Sequence, residues 1–451
     1  MSEVIKIKKG LNIRLKGQAE KIFVKVDPAD SYALKPTDFK GLVPKMSVKP
    51  DDKVKAGTTL FFDKYRPGIK FVSPVSGTIK EVRRGERRKI LEVVVESDGK
   101  MEHEQFGKQS PNDLSKEQVT QKLLESGTWP FIRQRPYGII ANPEDEPKAI
   151  FISAFDTAPL APDMDFIITG QEEDFQIGIN AISKLTKGKV HVNVDAEFPA
   201  SSIYNKAEKV YVHKFKGPHP AGNIGVQIHH IEPINKGDIV WYLYPQDVVS
   251  IGRLFKNGIY DASRIVALTG SEVHKPRYYK LIGGTSITPI IKDNIKNDNE
   301  VRYISGNVLT GTQISSSGYV GFYDSQITVI PEGKHSEMFG WALPGFGKYS
   351  VSRTFFSWLA PGKKYKMDTN LHGGERAFVM TGQYDKVLPM DIYPVQLLKS
   401  ILANDIEKIE NLGIYEIIEE DFALCEFVCT SKIEVQQIVR QGIDLMIKEL
   451  G

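Results

Sequence analysis

The segment between residues 141 and 272 constrains the fold most, because strand-sized apolar runs alternate there with helical repeats. The apolar residues at helical spacing in the first repeat are Phe175, Ile179, Ile182 and Leu185. The two helical stretches end at Gly188 and Gly258, and glycine suits a left-handed helix cap. Alternating strands and helices are typical of a largely parallel sheet covered by helices. The sequence therefore predicts a layered α/β domain over residues 141–272.

Residues 1–100 have a different pattern, in which short β-type runs are separated by frequent glycine and proline residues. This pattern predicts a small barrel or sandwich. Between residues 54 and 82 it resembles the barrel-sandwich hybrid domains of biotinyl and lipoyl carriers. A carrier needs a modified lysine on the hairpin between its halves, but Arg66 and Pro67 stand at that place. We therefore expect a structural barrel without a prosthetic group.

The rest of the chain divides into a connector over 101–140, a β-rich region over 273–390 and a helical region over 391–451. In the connector, Ser115 and Gln118 have the spacing of a capping box, which predicts a helix beginning there.

Charge and cysteine content exclude several classes of protein. Lys and Arg number 59 and Asp and Glu number 56, a balance too even to indicate a nucleic-acid partner. Cys425 and Cys429 are too few for a disulfide framework or for an all-cysteine iron–sulfur cluster. No signal peptide and no apolar run of the ~20 residues that span a bilayer is evident. We therefore expect a cytoplasmic or membrane-peripheral protein.

Two motifs could contact phosphate, and both are weak. Residues 83–89, RRGERRK, suit an anionic partner but equally form a solvated hairpin. The loop GPHPAGNIG at residues 217–225 follows a strand, yet it lacks the G-x-G-x-x-G spacing. Its prolines also lack the N–H donors that bind phosphate.

The sequence offers no convincing metal or catalytic centre. Histidines and cysteines are possible metal ligands, but no H-E-x-x-H or paired Cys motif accompanies them. The histidines in question are His213, His219, His229 and His230. No nucleophile and base are recognisable either. We therefore expect structural roles for these side chains, with no metal site and no catalytic residue.

Stretches along the whole chain resemble the NqrA family, which supplies the A subunits of the Na⁺-translocating NADH:quinone oxidoreductases. The order and spacing of the matching stretches make the resemblance specific, and it stops after Cys429, where this chain reads TSKIEVQQ. The matches include WPFIRQRPY (129–137), GPHPAGNIG (217–225), VWYLYPQDVVSIGRLFKNG (240–258), GWALPG (340–345) and EEDFALCEFVC (419–429).

The resemblance implies a multidomain α+β fold. Its expected parts are a barrel-sandwich hybrid domain over 1–100, a helix and extended connector over 101–140, a Rossmann-like α/β domain over 141–272, an SLBB or β-grasp-like and β-rich region over 273–390, and a helical region over 391–451.

The resemblance also implies a function, as a peripheral subunit on the cytoplasmic side of the bacterial inner membrane. Five other subunits would be its partners, especially the membrane subunit that bears quinone and flavin. Their FAD, FMN, riboflavin and iron–sulfur centres would pass electrons from NADH to ubiquinone or menaquinone while Na⁺ is exported. This chain itself would hold no redox cofactor. The alternatives are a free-standing nucleotide- or lipid-binding module and an autonomous flavin-dependent NADH dehydrogenase.

A quinone contact is the further implication of the resemblance. Aromatic side chains could pack on a quinone ring while an arginine donates to a carbonyl. The candidates are Trp129, Phe131, Arg133, Arg135 and Tyr137, and a second loop runs from Tyr32 to Phe39. The alternative is a structural linker clamped by its aromatic residues.

Overall fold

A computed structural model describes residues 4–199, 202–296, 300–334 and 337–450. The strands of the first hundred residues are β1 (Val4–Lys6), β2 (Glu20–Lys25), β3 (Ser31–Leu34), β4 (Pro44–Met46), β5 (Lys53–Val54), β6 (Thr59–Asp63), β7 (Lys70–Val72), β8 (Gly77–Arg84) and β9 (Ile90–Ser97). Seven of them form two small antiparallel sheets, in the orders β3-β9-β8-β5 and β4-β6-β7. The two sheets bury one shared core, as expected for a small barrel or sandwich.

The connector contains helix α1 (Lys116–Glu125) and strands β10 (Arg133–Arg135) and β11 (Ile139–Ile140). The predicted capping box is present, because Gln118 N donates to Ser115 Oγ at 3.3 Å and Ser115 N donates to Gln118 Oε1 at 2.9 Å. This reciprocal pair fixes the start of α1.

The α/β region contains β12 (Ala149–Ser153), α2 (Met164–Ile167), α3 (Glu172–Ile182), β13 (Lys189–Asp195), α4 (Ile203–Lys206), β14 (Tyr211–Lys216), α5 (Ile224–Ile231), β15 (Val240–Leu243) and α6 (Pro245–Asn257). Its sheet has the order β1-β14-β13-β12-β15-β10-β11, parallel from β1 to β15 and antiparallel beyond. The chain reverses its direction of progress across the sheet between β12 and β15. Open α/β sheets bind ligands at such a reversal.

Both helical repeats predicted for this region are present. Gly258 caps α6 in the left-handed conformation, with φ of 71°, whereas α3 ends at Ile182, before Gly188. The two helices cross closely because glycines stand at the crossing. A Cβ added to Gly178 would lie 2.1 Å from Val248 O, and one added to Gly252 would lie 1.7 Å from Asp174 O.

The β-rich region contains β16 (Ser263–Thr269), β17 (Arg277–Ile282), α7 (Thr288–Ile291), β18 (Val301–Ser305), β19 (Thr312–Ile314) and β20 (Gln326–Pro331). Its sheet has the order β19-β18-β20-β16-β17-β2, so β2 of the first hundred residues completes it. The described residues between β20 and residue 393 contain no strand or α-helix. Glycines and prolines interrupt the apolar runs in this stretch, which explains why the β-type pattern does not continue there.

The helical region contains α8 (Pro394–Leu402), α9 (Ile406–Asn411), α10 (Ala423–Val428) and α11 (Val435–Leu450). It packs on one face of the seven-stranded sheet. Because side chains alternate along a strand, Phe151 of β12 joins the core shared with the helical region, while Ile150 and Ile152 join the core on the other face.

A buried ion pair joins the connector to the helical region. Arg135 Nη1 lies 2.6 Å from Asp421 Oδ2, and neither side chain is exposed. The same nitrogen donates to Glu416 O at 3.0 Å. Asp421 Oδ2 also accepts a hydrogen bond from Ile418 N at 2.9 Å. A desolvated pair of this kind requires both partners, because either charge alone would be buried without compensation.

We predict that Asp421→Ala lowers the free energy of unfolding by about 3–5 kcal/mol, because it leaves the Arg135 charge buried and unpaired. Urea denaturation followed by circular dichroism measures the loss. The control is Glu146→Ala, which removes the exposed partner of Lys187 and should cost less than about 1 kcal/mol. Equal losses in the two variants would contradict the structural role of the pair.

A candidate ligand cavity

A cavity of about 590 Å³ lies where all segments of the chain meet. It opens at the carboxyl ends of β12 and β15, the crevice in which open α/β sheets bind ligands. Its walls come from the loop after β3, from β10 and β11, from the loops beside β18 and β20, and from α11. Residues that represent these walls are Phe39, Arg133, Asp156, Tyr244, Tyr323, Glu420 and Arg440.

Arg133 is the central polar side chain of the cavity. Its Cζ lies 4.2 Å from the ring centroid of Tyr323, 4.7 Å from that of Tyr242 and 5.0 Å from that of Tyr244. Tyr242 stands directly opposite Arg133 in the antiparallel pairing of β10 and β15. Tyr244 follows two residues later on the same side of the chain.

The aromatic rings hold the guanidinium in place but do not satisfy its N–H donors. Arg133 Nε and Nη2 are buried without a hydrogen-bond partner. Buried donors without acceptors are unfavourable, and a carbonyl or anionic oxygen from a ligand would relieve this cost.

Carboxyl groups face the same space. Burial raises the pKa of Glu420 to about 7, and Asp421 raises it as well, while Arg135 and Arg133 lower it. Burial raises the pKa of Asp38 to about 6, against the opposing effect of Lys35. A substantial share of Glu420 is therefore protonated at neutral pH, so the cavity offers carboxylic O–H donors as well as the Arg133 guanidinium.

The start of α5 does not fit a nucleotide phosphate. A Cβ at Gly225 would lie 2.4 Å from Asp421 Oδ1 and 2.6 Å from Arg135 Nη1, so the buried ion pair fills that place. Pro218 and Pro220 in the preceding loop have no N–H to donate. Carboxyl groups also outnumber cationic side chains in the cavity lining, which disfavours a ligand carrying several phosphate charges.

Of the four histidines, His229 and His230 contact each other edge-on, with 5.2 Å between their ring centroids, and His213 and His219 have other neighbours. His213 Nε2 lies 2.8 Å from His191 Nδ1, and His229 Nδ1 lies 2.7 Å from Glu416 Oε2. His230 contacts its own helix, and burial lowers the pKa of His219 to about 4. Among the residues described by the structure, no three His, Cys, Asp or Glu side chains are arranged to hold a metal ion.

Both cysteines are buried and free. The Tyr384 hydroxyl donates to Cys429 Sγ at 3.0 Å. Burial raises the pKa of Cys425 well above its usual value, so its thiol stays protonated at neutral pH. The described surroundings therefore give Cys425 the character of an inert core thiol.

Two of the seven quinone candidates line the cavity, Arg133 and Phe39. Phe39 is buried and packs against Phe71, with 4.5 Å between the ring centroids. Tyr32 is buried in β3 and does not reach the cavity.

The remaining candidates lie in packed surroundings beside the cavity. Trp129 is buried and donates from Nε1 to Ala141 O at 2.8 Å. Phe131 stacks on Phe322, with 5.1 Å between the rings. Arg135 is held in the ion pair, and the half-buried Tyr137 meets the ring of Tyr415 edge-on.

Sequence reasoning did not identify Tyr242, Tyr244, Tyr323 and Glu420. The i, i+2 spacing of Tyr242 and Tyr244 in VWYLYP was a usable signal, since it places both on one side of an extended chain. Tyr323 and Glu420 gave no local signal, because only tertiary packing brings them beside Arg133.

Three domain families match the chain. They are the NqrA N-terminal barrel-sandwich hybrid domain over residues 5–98, the NqrA second alpha/beta domain over residues 114–260 and the NQRA C-terminal domain over residues 265–316. The first match agrees with the barrel expected from the sequence.

Curated relatives match over nearly the whole chain. The A subunit of the Na(+)-translocating NADH-quinone reductase of Yersinia pestis bv. Antiqua is 40% identical over 97% of this chain and 98% of its own length. The protein of the same name from Neisseria meningitidis serogroup A is 40% identical over 99% of this chain and 100% of its own length. A crystal structure of an NAD⁺-reducing NiFe-hydrogenase gives a TM-score of 0.39 at 12% identity, covering 75% of this chain and 62% of that chain, which is too distant to support an argument.

We predict that Glu420→Gln changes how stability depends on pH. The pKa of Glu420 is about 7 in the folded chain, against 4.5 ordinarily, so its contribution to stability is lost as pH rises from about 4.5 through 7. The variant should match the wild type at pH 4.5 and exceed it by roughly 3 kcal/mol at pH 8. Urea unfolding at both pH values measures this difference.

The matched control is Glu407→Gln on the exposed side of α9, which makes the same substitution outside the cavity. A Glu420→Gln profile parallel to that of the wild type would contradict the raised pKa.

Proposed function

This chain belongs to the NqrA family, the A subunits of the Na(+)-translocating NADH-quinone reductases, and we propose that it serves as the peripheral subunit of such a reductase. The carrying observation is identity of 40% along 97–99% of the chain with relatives of that name. The family membership confirms the resemblance found in the sequence. In this proposal the complex passes electrons from NADH to quinone and exports Na⁺.

The proposed position is the cytoplasmic side of the bacterial inner membrane, held by five partner subunits. No helix in the described residues is long and apolar enough to cross a bilayer. In the proposal, contact with the membrane runs through partners, above all the membrane subunit that bears quinone and flavin. The isolated chain should have no reductase activity of its own, and it has no proposed nucleic-acid partner.

The redox cofactors are assigned to other subunits. These are FAD, FMN, riboflavin and the iron–sulfur centres, with ubiquinone or menaquinone as the electron acceptor. Two observations support the proposal that this chain binds no NADH or flavin nucleotide. The Arg135–Asp421 pair fills the space at the start of α5, and the cavity lining is rich in carboxyl groups.

The proposal also includes the finer assignments of the fold. The strand order β14-β13-β12-β15 supports a Rossmann-like α/β domain, since it matches the first four strands of that fold. The mixed sheet from β16 to β20 supports an SLBB or β-grasp-like domain.

The cavity supports a quinone as the ligand. A quinone is neutral, has a flat ring that packs on aromatic side chains, and carries carbonyl oxygens that accept hydrogen bonds. Arg133 supplies unpaired donors, protonated Glu420 supplies another, and the tyrosines supply ring surface. The volume of about 590 Å³ is that of an ordinary small-molecule site.

The geometry of the cavity reduces the number of residues proposed from the sequence to contact quinone. Within the proposal, Arg133 and Phe39 contact the quinone directly, because they line the cavity. The other five do not line the cavity: four of them pack beside it, and Tyr32 lies in β3. The residues added by the structure are Tyr242, Tyr244, Tyr323 and Glu420.

We predict that a tagged chain, recovered from its native membranes in mild detergent, brings down hydrophobic partners with Na⁺-stimulated NADH:quinone reductase activity. A lone, inactive chain would contradict the proposed role and favour a free-standing binding module. The isolated chain is the spectroscopic control. Stoichiometric flavin absorbance there would overturn the assignment of flavins to the partners.

We predict that Arg133→Met raises the KM for quinone about tenfold or more, because it removes a charged hydrogen-bond donor and keeps most of the side-chain volume. NADH oxidation by an artificial acceptor should stay unchanged, since that step does not use the cavity. The control is Arg87→Met on the exposed β8–β9 hairpin. An unchanged quinone KM and inhibitor sensitivity in Arg133→Met would remove the quinone proposal.

A further inference from the structure

The segment at residues 337–364 presents an unusual density of exposed apolar side chains. Of the twenty large apolar side chains that are exposed in the described part of the chain, nine lie in this segment. Trp341 is the most exposed aromatic among them, at 78%. The nine are Met338, Phe339, Trp341, Leu343, Phe346, Val351, Phe356, Trp358 and Leu359. Such a concentration marks an interaction surface, since isolated proteins rarely expose it.

The segment is folded onto itself and tied to the body of the protein. Phe356 N donates to Pro344 O at 2.9 Å, and Lys363 Nζ donates to Phe346 O at 2.6 Å. At its far end Tyr365 N donates to Arg14 O at 2.7 Å, while Lys16 N donates to Tyr365 O at 2.9 Å. The exposed aromatics are thus carried by a compact loop with a fixed attachment point.

The charge of the segment restricts what can cover it. It contains Lys348, Arg353, Lys363 and Lys364 against a single acidic residue, Glu337. Arg353 lies over the Trp358 ring, with 5.4 Å from Cζ to the centroid, so a cation sits inside the apolar surface. A complementary partner therefore offers apolar area with carboxylates around it.

Insertion into lipid is disfavoured by the backbone. A single 3-10 turn at Phe356–Leu359 is the only helical or strand element that the structure describes between residues 337 and 364. Irregular backbone has unpaired N–H and C=O groups that hydrocarbon cannot satisfy. A protein partner can pair them. The composition also fits, because Trp, Phe, Met and Arg are enriched at the cores of protein interfaces.

We propose that residues 337–364 form the surface by which this chain docks on another protein subunit of the same complex, one with an apolar contact face rimmed by Asp and Glu. This inference rests on the proposed function. It adds the place of attachment and the chemistry of the partner surface.

The test compares two double variants in the complex purified from native membranes through a tag on this chain. Trp341→Ser with Leu343→Ser should reduce recovery of the partner subunits about tenfold or more, with the thermal melting temperature of the isolated chain unchanged. The control is Tyr65→Ser with Tyr211→Ser, which removes exposed aromatic side chains outside residues 337–364. This variant should recover the partner subunits fully. Lys364→Glu should weaken recovery as well, by reversing the complementary charge at an exposed position.

A photo-crosslinking amino acid in place of Trp341 identifies what covers the segment. Crosslinking to another subunit of the reductase supports the inference. Full recovery of partners by the Trp341→Ser, Leu343→Ser variant overturns it and leaves the proposed function standing. Flotation of the wild-type chain with phosphatidylglycerol vesicles, lost in that variant, would also overturn it and assign the surface to lipid. If the wild-type chain recovers no partner at all, the proposed function fails, and this docking surface fails with it.

Discussion

The buried pair of Arg135 and Asp421 is the contact on which the rest of the site depends. It ties β10 of the seven-stranded sheet to the turn before α10, between parts of the chain that are far apart in sequence. The pair also fills the space beside Gly225, where α5 begins. Because Glu420 directly precedes Asp421, the same contact holds the Glu420 carboxyl group at the cavity wall. One desolvated interaction thus fixes the helical region, closes a possible phosphate site and positions a titratable group.

The cavity combines features that favour a neutral ligand over a highly charged one. Three tyrosine rings surround the Arg133 guanidinium and leave two of its nitrogens without acceptors. Burial raises the pKa of Glu420 to about 7 and that of Asp38 to about 6, so Glu420 donates an O–H hydrogen bond when it is protonated. A flat molecule with carbonyl oxygens satisfies these donors at little electrostatic cost, whereas a nucleotide brings phosphate charges toward several carboxyl groups. This contrast is the physical basis for preferring a quinone over a dinucleotide on a sheet whose strand order is common among nucleotide-binding folds.

Local patterns in the sequence predicted local structure well. The Ser115–Gln118 capping box and the Gly258 cap of α6 are present, because a few neighbouring residues determine them. The cap expected at Gly188 was wrong, since α3 ends earlier at Ile182. For the site, the sequence indicated Arg133 but could not distinguish it from Arg135. Both arginines lie on one short strand. Arg135 pairs with Asp421, a residue distant in sequence, whereas Arg133 lines the cavity.

Photoaffinity labelling with an azido-quinone in the intact complex tests the proposal that the cavity around Arg133 binds quinone. The labelled peptides of this chain, mapped by mass spectrometry, should contain Tyr242, Tyr244 or Tyr323, and labelling should be displaced by excess quinone but not by NADH. Labelling confined to other subunits, or displaced by NADH, would contradict the claim.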